Sequence, residues 1–167
     1  MKLTGVERWL ICGPVRTWML RRLEAPRVLS GLDVPEGSVC LDIGCGSGIG
    51  TLLINQYLHS EKVVGIDIDP DMVTAARKCI EHPPRWAQNM RTDNIEFLCE
   101  DASAARFPDC SFDAVFLFGA LHHIGEWKRA ISEVHRMLKE GGIFSFAEEV
   151  LLPASLVRFG KPALRVG

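Results

Sequence analysis

A short glycine-rich segment constrains the fold of this chain more than any other feature. Val39–Ile43 is an apolar run of the kind that a strand covered on both faces requires, and three glycines follow it at alternate positions up to Gly48. From Ile49 to Tyr57 apolar residues recur at helical spacing, so a helix should follow the loop directly. Ligands bind at the carboxyl edge of parallel sheets, and glycines let the backbone approach a ligand closely. The segment therefore predicts a binding site between a strand and a helix.

The rest of the chain repeats this alternation, which predicts an α/β fold with a doubly wound, mostly parallel sheet and helices on both faces. At 167 residues the chain is long enough for one domain with a hydrophobic core. Asp69 followed by Pro70 supplies a helix start, and Gly141 with Gly142 is expected to end the last helix. The remaining predicted elements are strands at 62–67, 95–99, 112–118 and 143–146, helices at 70–80 and 126–139, and a surface loop at 82–93.

The charge balance disfavours a nucleic-acid substrate. The chain has 19 basic and 21 acidic side chains and a formal net charge of -2, so no overall field draws it to DNA or RNA. Its six cysteines contain no C-x-x-C pair, and the scattered Cys and His positions lack the short spacing of a zinc site. The apolar run Trp9–Cys12 is too short to cross a bilayer. We therefore expect a cytoplasmic protein without a metal, a membrane insertion or a nucleic-acid partner.

The spacing of the glycines narrows the class of ligand. A dinucleotide site needs G-x-G-x-x-G, and its third glycine would fall on Ile49 or Thr51 here. The Lys-Ser/Thr pair of a phosphate loop is also missing. Asp42 stands two residues before the first glycine, Asp67 ends the next predicted strand, and Asp101 follows the strand after that. Segments in this order resemble the class I, Rossmann-like methyltransferases that depend on S-adenosylmethionine.

The resemblance covers roughly residues 38–146 and is closest to the ubiquinone/menaquinone-methyltransferase-like branch, methyltransferase type 11. Beyond the loop it is carried by Pro108–Val115, Leu121–Ile124 and Glu133–Gly142. The family's usual Lys-Pro-Gly-Gly is Lys-Glu-Gly-Gly here, and its usual Gly-Thr-Gly after the first Gly-Cys is Gly-Ser-Gly. The resemblance implies an enzyme that uses S-adenosyl-L-methionine and releases S-adenosyl-L-homocysteine.

The same resemblance implies roles for individual residues. Asp67 would accept hydrogen bonds from the ribose hydroxyls, and Asp42 would lie near the methionine ammonium. Ile68 and Met72 would pack against the adenine, although either could equally belong to the core. Asp101 would receive the adenine amino group, and its alternative role is a helix or turn cap. The full set of implied cofactor contacts is Asp42, Gly44, Cys45, Gly46, Gly48, Asp67, Ile68, Met72, Asp101, Ala102 and Phe118.

The sequence constrains the methyl acceptor less than the cofactor. A general base is needed only if the attacking atom carries a proton, and His122 and His123, which follow the fourth strand, are the candidates. The alternative is that this pair caps and packs a short helix. The Asn-Pro-Pro-aromatic signature of amino-group methylation on nucleic acids and proteins is missing after Phe118. This absence favours a small-molecule acceptor that is methylated on oxygen, carbon or sulfur.

The chain divides into three expected parts. We expect an N-terminal helical segment at 1–35, with a helix around Val6–Leu23 that Gly13 and Pro14 break, a cofactor-binding domain at 36–150, and a short tail at 151–167. Such a tail cannot supply the family's usual C-terminal strands, so an unfinished sheet edge predicts a homodimer. The short C-terminus leaves open a catalytically silent cofactor-binding or interaction module, or a truncated methyltransferase. The missing third glycine disfavours a nicotinamide-dependent oxidoreductase.

Overall fold

The computed structural model describes residues 13–147 and 163–165, which build one six-stranded sheet. Its strands are β1 Val39–Ile43, β2 Lys62–Asp67, β3 Ile95–Cys99, β4 Phe112–Phe118, β5 Leu138–Ala147 and β6 Ala163–Arg165. They lie in the order β3-β2-β1-β4-β5-β6. Neighbours among β1 to β5 are parallel, and β6 runs antiparallel to β5. The four strands predicted first are confirmed in place.

Helices cover both faces of the sheet, because the strands bury side chains on both sides. These helices are α1, made of Pro14–Met19, Leu20–Glu24 and Ala25–Leu29, then α2 Ile49–Leu58, α3 Pro70–Glu81 and α4 Trp127–Met137. The adjacent residues Cys40 and Leu41 of β1 point into two different apolar clusters. The first cluster includes residues of α1, α2 and α3, and the second includes residues of α4. This arrangement confirms the predicted doubly wound α/β fold.

The described part of the N-terminal helix begins at Pro14 and ends later than the sequence indicates. Gly13 is its extended N-cap and Pro14 its first residue, so this dipeptide starts the described helix. The helix then continues to Leu29 through a π-helical turn, Leu20–Glu24. Its core-facing residues extend past the predicted end, because Ala25, Val28 and Leu29 are all buried. Residues 6–12 of the predicted helix lie outside the described part of the chain.

The boundary between α4 and β5 was predicted wrongly. The helix ends at Met137 rather than Lys139, and the strand starts at Leu138 rather than Ile143. Leu138 pairs with Phe112 while Ile143 pairs with Ala114, so β5 carries an irregularity between these two pairs. Gly141 and Gly142 lie in that irregularity, and Gly141 has a φ of +71°. The backbone of Leu138 therefore pairs with β4, and the helix ends before Gly141 and Gly142.

Two other segments contain more regular structure than the sequence suggested. The surface loop at 82–93 includes one 3₁₀ turn, Arg85–Ala87. The segment expected to be a tail contributes β6, so it supplies one short strand to the sheet. The remainder of that segment, 151–162 and 166–167, lies outside the described residues. In the part of the chain that the structure describes, no helix has the length and apolar character needed to cross a membrane.

Candidate functional site

The glycine-rich loop folds back over the end of β2. The backbone N–H groups of Gly44 and Cys45 both donate to the carbonyl of Ile66, at 2.9 and 3.0 Å. Gly44, Gly46 and Gly48 have φ angles of +70°, +52° and +83°, a backbone region that residues other than glycine rarely adopt. The loop therefore lies at the carboxyl edge between β1 and β2, beside the point where the strand order reverses from β1 to β4.

The three loop glycines serve different purposes. A Cβ at Gly44 would lie 2.5 Å from the Cβ of Ala120, and one at Gly48 would lie 2.9 Å from the ring of Phe97. These two positions must be glycine for the loop to pack. A Cβ at Gly46 would meet no atom within 4 Å, so Gly46 borders open space. The open side of the loop is the side on which a ligand would lie.

Asp67 joins this loop to the end of β2. One carboxylate oxygen accepts the N–H of Gly46 at 2.9 Å, and the other accepts the N–H of Asp69 at 2.9 Å. Burial raises the pKa of Asp67, although these backbone hydrogen bonds lower it. Each carboxylate oxygen has more than one acceptor site, so both can still accept bonds from a vicinal diol. The structure thus brings Asp67 together with the loop, as the predicted ribose role requires.

Asp42 is buried directly under the loop. Its side chain is in β1 and only 1% exposed, and Thr51 of α2 donates to its Oδ2 at 2.6 Å. The pKa of Asp42 is raised from 3.8 to about 7, chiefly by burial; the Thr51 bond lowers it and the negative charge of Asp67 raises it within that net shift. A cation bound nearby would favour the ionised form of Asp42. The sequence did not single out Thr51, and its only signal is a hydroxyl within an apolar helix face.

The two candidates for an adenine contact differ in exposure. Ile68 follows Asp67 directly and is 65% exposed, which is unusual for a large apolar side chain. Met72 is 4% exposed. Ile68 therefore offers accessible surface that a flat ring could cover, whereas the buried Met72 offers very little.

Asp101 lies next to this region, because the N–H of Glu100 donates to the carbonyl of Asp67 at 3.1 Å. Oδ1 of Asp101 accepts from both the N–H and the hydroxyl of Ser103, at 2.8 Å each. These bonds cap the 3₁₀ turn Ala102–Ala104, whose first residue is buried. The turn-cap alternative is thus present, and both of its bonds use the same carboxylate oxygen, Oδ1.

The end of β4 completes the edge. Phe118 is 8% exposed, packs 6.4 Å from Phe116 between ring centroids, and lies against Gly50, which also contacts Asp42. Beyond it, Leu121–His123 forms a 3₁₀ turn in which the N–H of His123 donates to Ala120 at 3.0 Å. The His123 side chain is exposed. The predicted histidine pair therefore occupies a turn after β4, close in sequence to Ala120, which packs on the loop.

Two of the family-like segments lie outside this site. Backbone N–H groups of Cys110 and Ser111 donate to the carbonyls of Arg136 and Met137, at 3.0 and 2.8 Å. The guanidinium of Arg136 also donates to the carbonyl of Phe107 at 2.7 Å. Pro108–Val115 and Glu133–Gly142 therefore hold α4 against the start of β4. Among residues 13–147 and 163–165, no group of three or more Cys, His, Asp or Glu could hold a metal ion.

Arg16 is a second residue that the sequence analysis did not assign to the site. It lies on α1, and its Nη1 donates to Oε1 of Glu24 at 2.5 Å. Its Nη2 lies 3.1 Å from where a Cβ would stand on Gly119, the residue after β4. No motif signals this position, because it depends on how α1 crosses the end of the sheet.

Comparison with known proteins gives a family match over the site. A family model described as a methyltransferase domain matches residues 41–146, more than half of the chain. The chain is 34% identical over 125 residues to demethylmenaquinone methyltransferase of Symbiobacterium thermophilum, covering 74% of this chain and 47% of that protein. It is 30% identical over 140 residues to malonyl-[acyl-carrier protein] O-methyltransferase of Nitrosospira multiformis, covering 77% and 45%.

A solved structure is similar over the same region. The crystal structure of the YcgJ protein from Bacillus subtilis matches with a TM-score of 0.60 and 30% identity, over 70% of this chain and 46% of that one. The chain spans about half the length of the curated relatives it matches.

Proposed function

The chain belongs to the Rossmann-like, S-adenosylmethionine-dependent methyltransferase family, and from this premise we propose that it transfers a methyl group from S-adenosylmethionine to a small-molecule acceptor. The observation that carries the proposal is the joint geometry of Gly46 and Asp67. Gly46 borders open space, and the carboxylate bound to its N–H stands at the same edge. Because the chain spans about half of its relatives, the activity is proposed for this chain rather than transferred from them.

The residues at this edge fit the cofactor. The exposed Ile68 offers an apolar surface beside Asp67, as an adenosine moiety requires, since its ring is flat and its ribose carries a diol. Asp42 is buried beneath the loop with a raised pKa. An ammonium group bound beside it would favour its ionised form and so lower that pKa. When bound, S-adenosylmethionine would supply a methyl group on a sulfonium, which a nucleophile can take in one in-line displacement.

The protein's own task is positioning. Asp67 holds the loop and would bind the ribose hydroxyls, while Asp42 would accept a hydrogen bond from the methionine ammonium. Orientation of two reactants is worth up to about 7–11 kcal/mol in favourable cases, so a rigid edge can supply most of the catalysis. His123, exposed in the turn after β4, is proposed as a general base only for an acceptor that must lose a proton. His122 stays a prediction for the same role.

Two relatives support a small-molecule acceptor by what their names say of them. One is a demethylmenaquinone methyltransferase and the other is a malonyl-[acyl-carrier protein] O-methyltransferase. The balanced charge of this chain, 19 basic against 21 acidic side chains, also disfavours nucleic acid. Oxygen, carbon or sulfur is thus the proposed site of methylation.

The homodimer stays a prediction, and sedimentation velocity of the purified chain tests it.

Calorimetric titration of the chain with S-adenosylmethionine, S-adenosylhomocysteine and NAD tests the proposal. We expect saturable binding of the first two and none of NAD. Asp67→Ala should remove most of the affinity, because a charge-assisted bond contributes about 1.5–3 kcal/mol. Asp71→Ala, an exposed acid on α3, is the matched control and should bind as the original chain does.

The competing function is a silent module that binds the cofactor and methylates nothing. Transfer of labelled methyl from S-adenosylmethionine to a panel of quinols, carboxylic acids and thiols distinguishes the two functions. Binding without transfer across this panel would favour the silent module. Absence of binding by the folded chain would contradict both functions.

A further inference from the structure

A groove between α1 and the end of α2 has no part in the functions assigned so far. Its volume is about 230 Å³, and its walls are Arg21, Arg22, Pro26, Leu53, Gln56 and Tyr57. Gly48 precedes α2, and Tyr57 stands near the other end of that helix. At 1.5 Å per residue, the groove lies roughly 14 Å along α2 from the glycine-rich loop. It is therefore separate from the edge at which the cofactor is proposed to bind.

The groove is rich in hydrogen-bond donors and positive charge. Two of its side chains are guanidiniums, and among the described residues that line it none is acidic. In the part of the chain that the structure describes, neither Arg21 nor Arg22 is paired with a carboxylate. The sequence of α2 contains no Asp or Glu, and the one acid of α1, Glu24, is bound to Arg16. Two neighbouring positive charges without a counter-charge repel each other, so the groove attracts an anion.

The two arginines are brought together by the π-helical turn of α1. Consecutive residues of an α-helix are separated by about 100° around the axis, because one turn takes 3.6 residues. A π-helical turn takes more residues, so the angle between neighbours is smaller. Arg21 and Arg22 both lie in the π-helical turn Leu20–Glu24. Their guanidiniums consequently line the same groove.

An aromatic ring holds one of these guanidiniums in place. The Cζ atom of Arg21 lies 4.8 Å from the ring centroid of Trp86, a cation–π contact. Trp86 itself packs against the first apolar cluster, so the ring is a fixed support. A guanidinium that stacks on a ring keeps its N–H groups directed outward in its own plane. Arg21 is thus oriented for binding without the use of its donors.

We propose that this groove binds a phosphate group. A guanidinium donates two parallel hydrogen bonds to two phosphate oxygens, and the phenol of Tyr57 and the amide of Gln56 supply donors for a third. A carboxylate has two oxygens and would leave several of these donors unused. The volume is below the roughly 300–1,000 Å³ of sites that enclose a whole drug-sized molecule. The groove therefore holds the phosphate of a larger molecule, either a soluble phosphate ester or a lipid headgroup.

Calorimetric titration of the full chain with inorganic pyrophosphate tests the proposal. Acetate at the same ionic strength is the control ligand, because salt screens an attraction that is only diffuse. The main variant is Arg21→Gln with Arg22→Gln, since glutamine keeps the helix propensity of arginine. Its matched control is Arg91→Gln with Arg106→Gln, which removes the same charge from two exposed arginines elsewhere. Tyr57→Phe is a milder variant that removes only a hydroxyl.

We expect saturable binding of pyrophosphate, and none of acetate, by the original chain and the control variant. The Arg21 and Arg22 double variant should bind pyrophosphate about 10- to 100-fold more weakly, and Tyr57→Phe about 3- to 10-fold more weakly. Each variant should keep its affinity for S-adenosylhomocysteine, because none of these residues lies at the cofactor edge. Absence of pyrophosphate binding by the original chain, or an equal loss in the control variant, would overturn the proposal and leave the proposed function intact.

Sedimentation with vesicles distinguishes the two sources of the phosphate. The vesicles are made of phosphatidylcholine with or without phosphatidic acid, whose phosphate has three terminal oxygens. Retention that requires phosphatidic acid, is displaced by pyrophosphate and is lost in the double variant would support a lipid headgroup in the groove. Binding of pyrophosphate without retention by either vesicle would support a soluble phosphate ester in the same groove.

Discussion

Asp42 and Asp67 lie at the same edge in different surroundings. Asp67 accepts backbone N–H bonds on both oxygens, whereas Asp42 is fully buried with Thr51 as its hydrogen-bond donor. The ligand-free protein therefore holds Asp42 with a pKa of about 7, far above the 3.8 of an ordinary aspartate. This difference connects folding and ligand binding to pH at one residue.

Stability should fall with rising pH because of Asp42. The unfolded carboxyl loses its proton near pH 3.8 and the native one near 7, so the native state binds the extra proton in that window. The free energy of unfolding therefore decreases from about pH 4 to 7 and the loss is complete above it. Asp42→Asn removes this term. In urea unfolding without ligand, the free energy of unfolding of Asp42→Asn minus that of the original chain should be about 2 kcal/mol larger at pH 8 than at pH 5.

Thr51→Val is the companion variant for this measurement. It removes the hydrogen bond that lowers the pKa of Asp42, and should make the decrease of stability with pH larger. A difference between Asp42→Asn and the original that is the same at both pH values would contradict the raised pKa.

The positions of the acids and glycines at this edge could be predicted from the sequence because each stands at a fixed place in a strand-loop-helix pattern; their contacts with the cofactor stay predictions. Asp67 and Gly46 are brought together as that pattern predicts. Thr51 and Arg16 could not be found in the same way. The hydrogen bond from Thr51 depends on its rotamer under Asp42, and the Arg16–Glu24 ion pair depends on a π-helical turn, which hydrophobic periodicity does not encode.

At the scale of elements, pairing between strands overrides local signals. The sequence placed the end of α4 by its glycines, but Leu138 is already paired with Phe112 of β4. Elements bounded by local chemistry were predicted correctly. For example, Asp69 accepts the N–H of Asp71 at 2.9 Å and starts α3 where expected. Boundaries set by a neighbour distant in sequence are the ones that the pattern misses.

The loop between β1 and α2 permits a test that separates packing from binding. Gly46→Ala places a methyl in open space at a φ of +52°, which should cost about 1–2 kcal/mol of stability and obstruct the cofactor. Gly44→Ala adds the same backbone cost and a 2.5 Å clash with Ala120, so its thermal midpoint should be lower than that of Gly46→Ala. Thermal unfolding and titration with S-adenosylhomocysteine measure both effects. Unchanged affinity of the Gly46→Ala protein would contradict the placement of the ligand on the open side of the loop.

At the scale of the whole molecule, the two edges of the sheet have separate tasks. At the edge opposite the site, Asp113 accepts the N–H of Val39 at 2.8 Å and the ammonium of Lys139 at 2.9 Å, which links β1, β4 and β5. Burial alone would raise the pKa of Asp113, but the bonds from Lys139 and Val39 hold it below its ordinary value. Its contribution to stability is therefore present above the unfolded pKa and lost as the pH falls.

Asp113→Asn should lower the free energy of unfolding by about 1–2 kcal/mol near neutral pH. Its affinity for S-adenosylhomocysteine should not change, because the residue is at the far edge. Glu96→Gln, which breaks a half-exposed pair with Lys62, is the control and should change stability by at most about 0.5 kcal/mol. Weaker ligand binding by Asp113→Asn would show that the edges are coupled.

The order of the strands in space also imposes an order in time. β2 follows β1 closely along the chain, but β4 does not, and the bond from Val39 reaches a residue 74 positions later. While the chain is being synthesised, one side of β1 has no partner until Phe118 has left the ribosome. Gly44 packs on Ala120, so the loop acquires its final shape only after that point. The half-made domain consequently carries an open apolar strand edge, the kind of surface that chaperones shield.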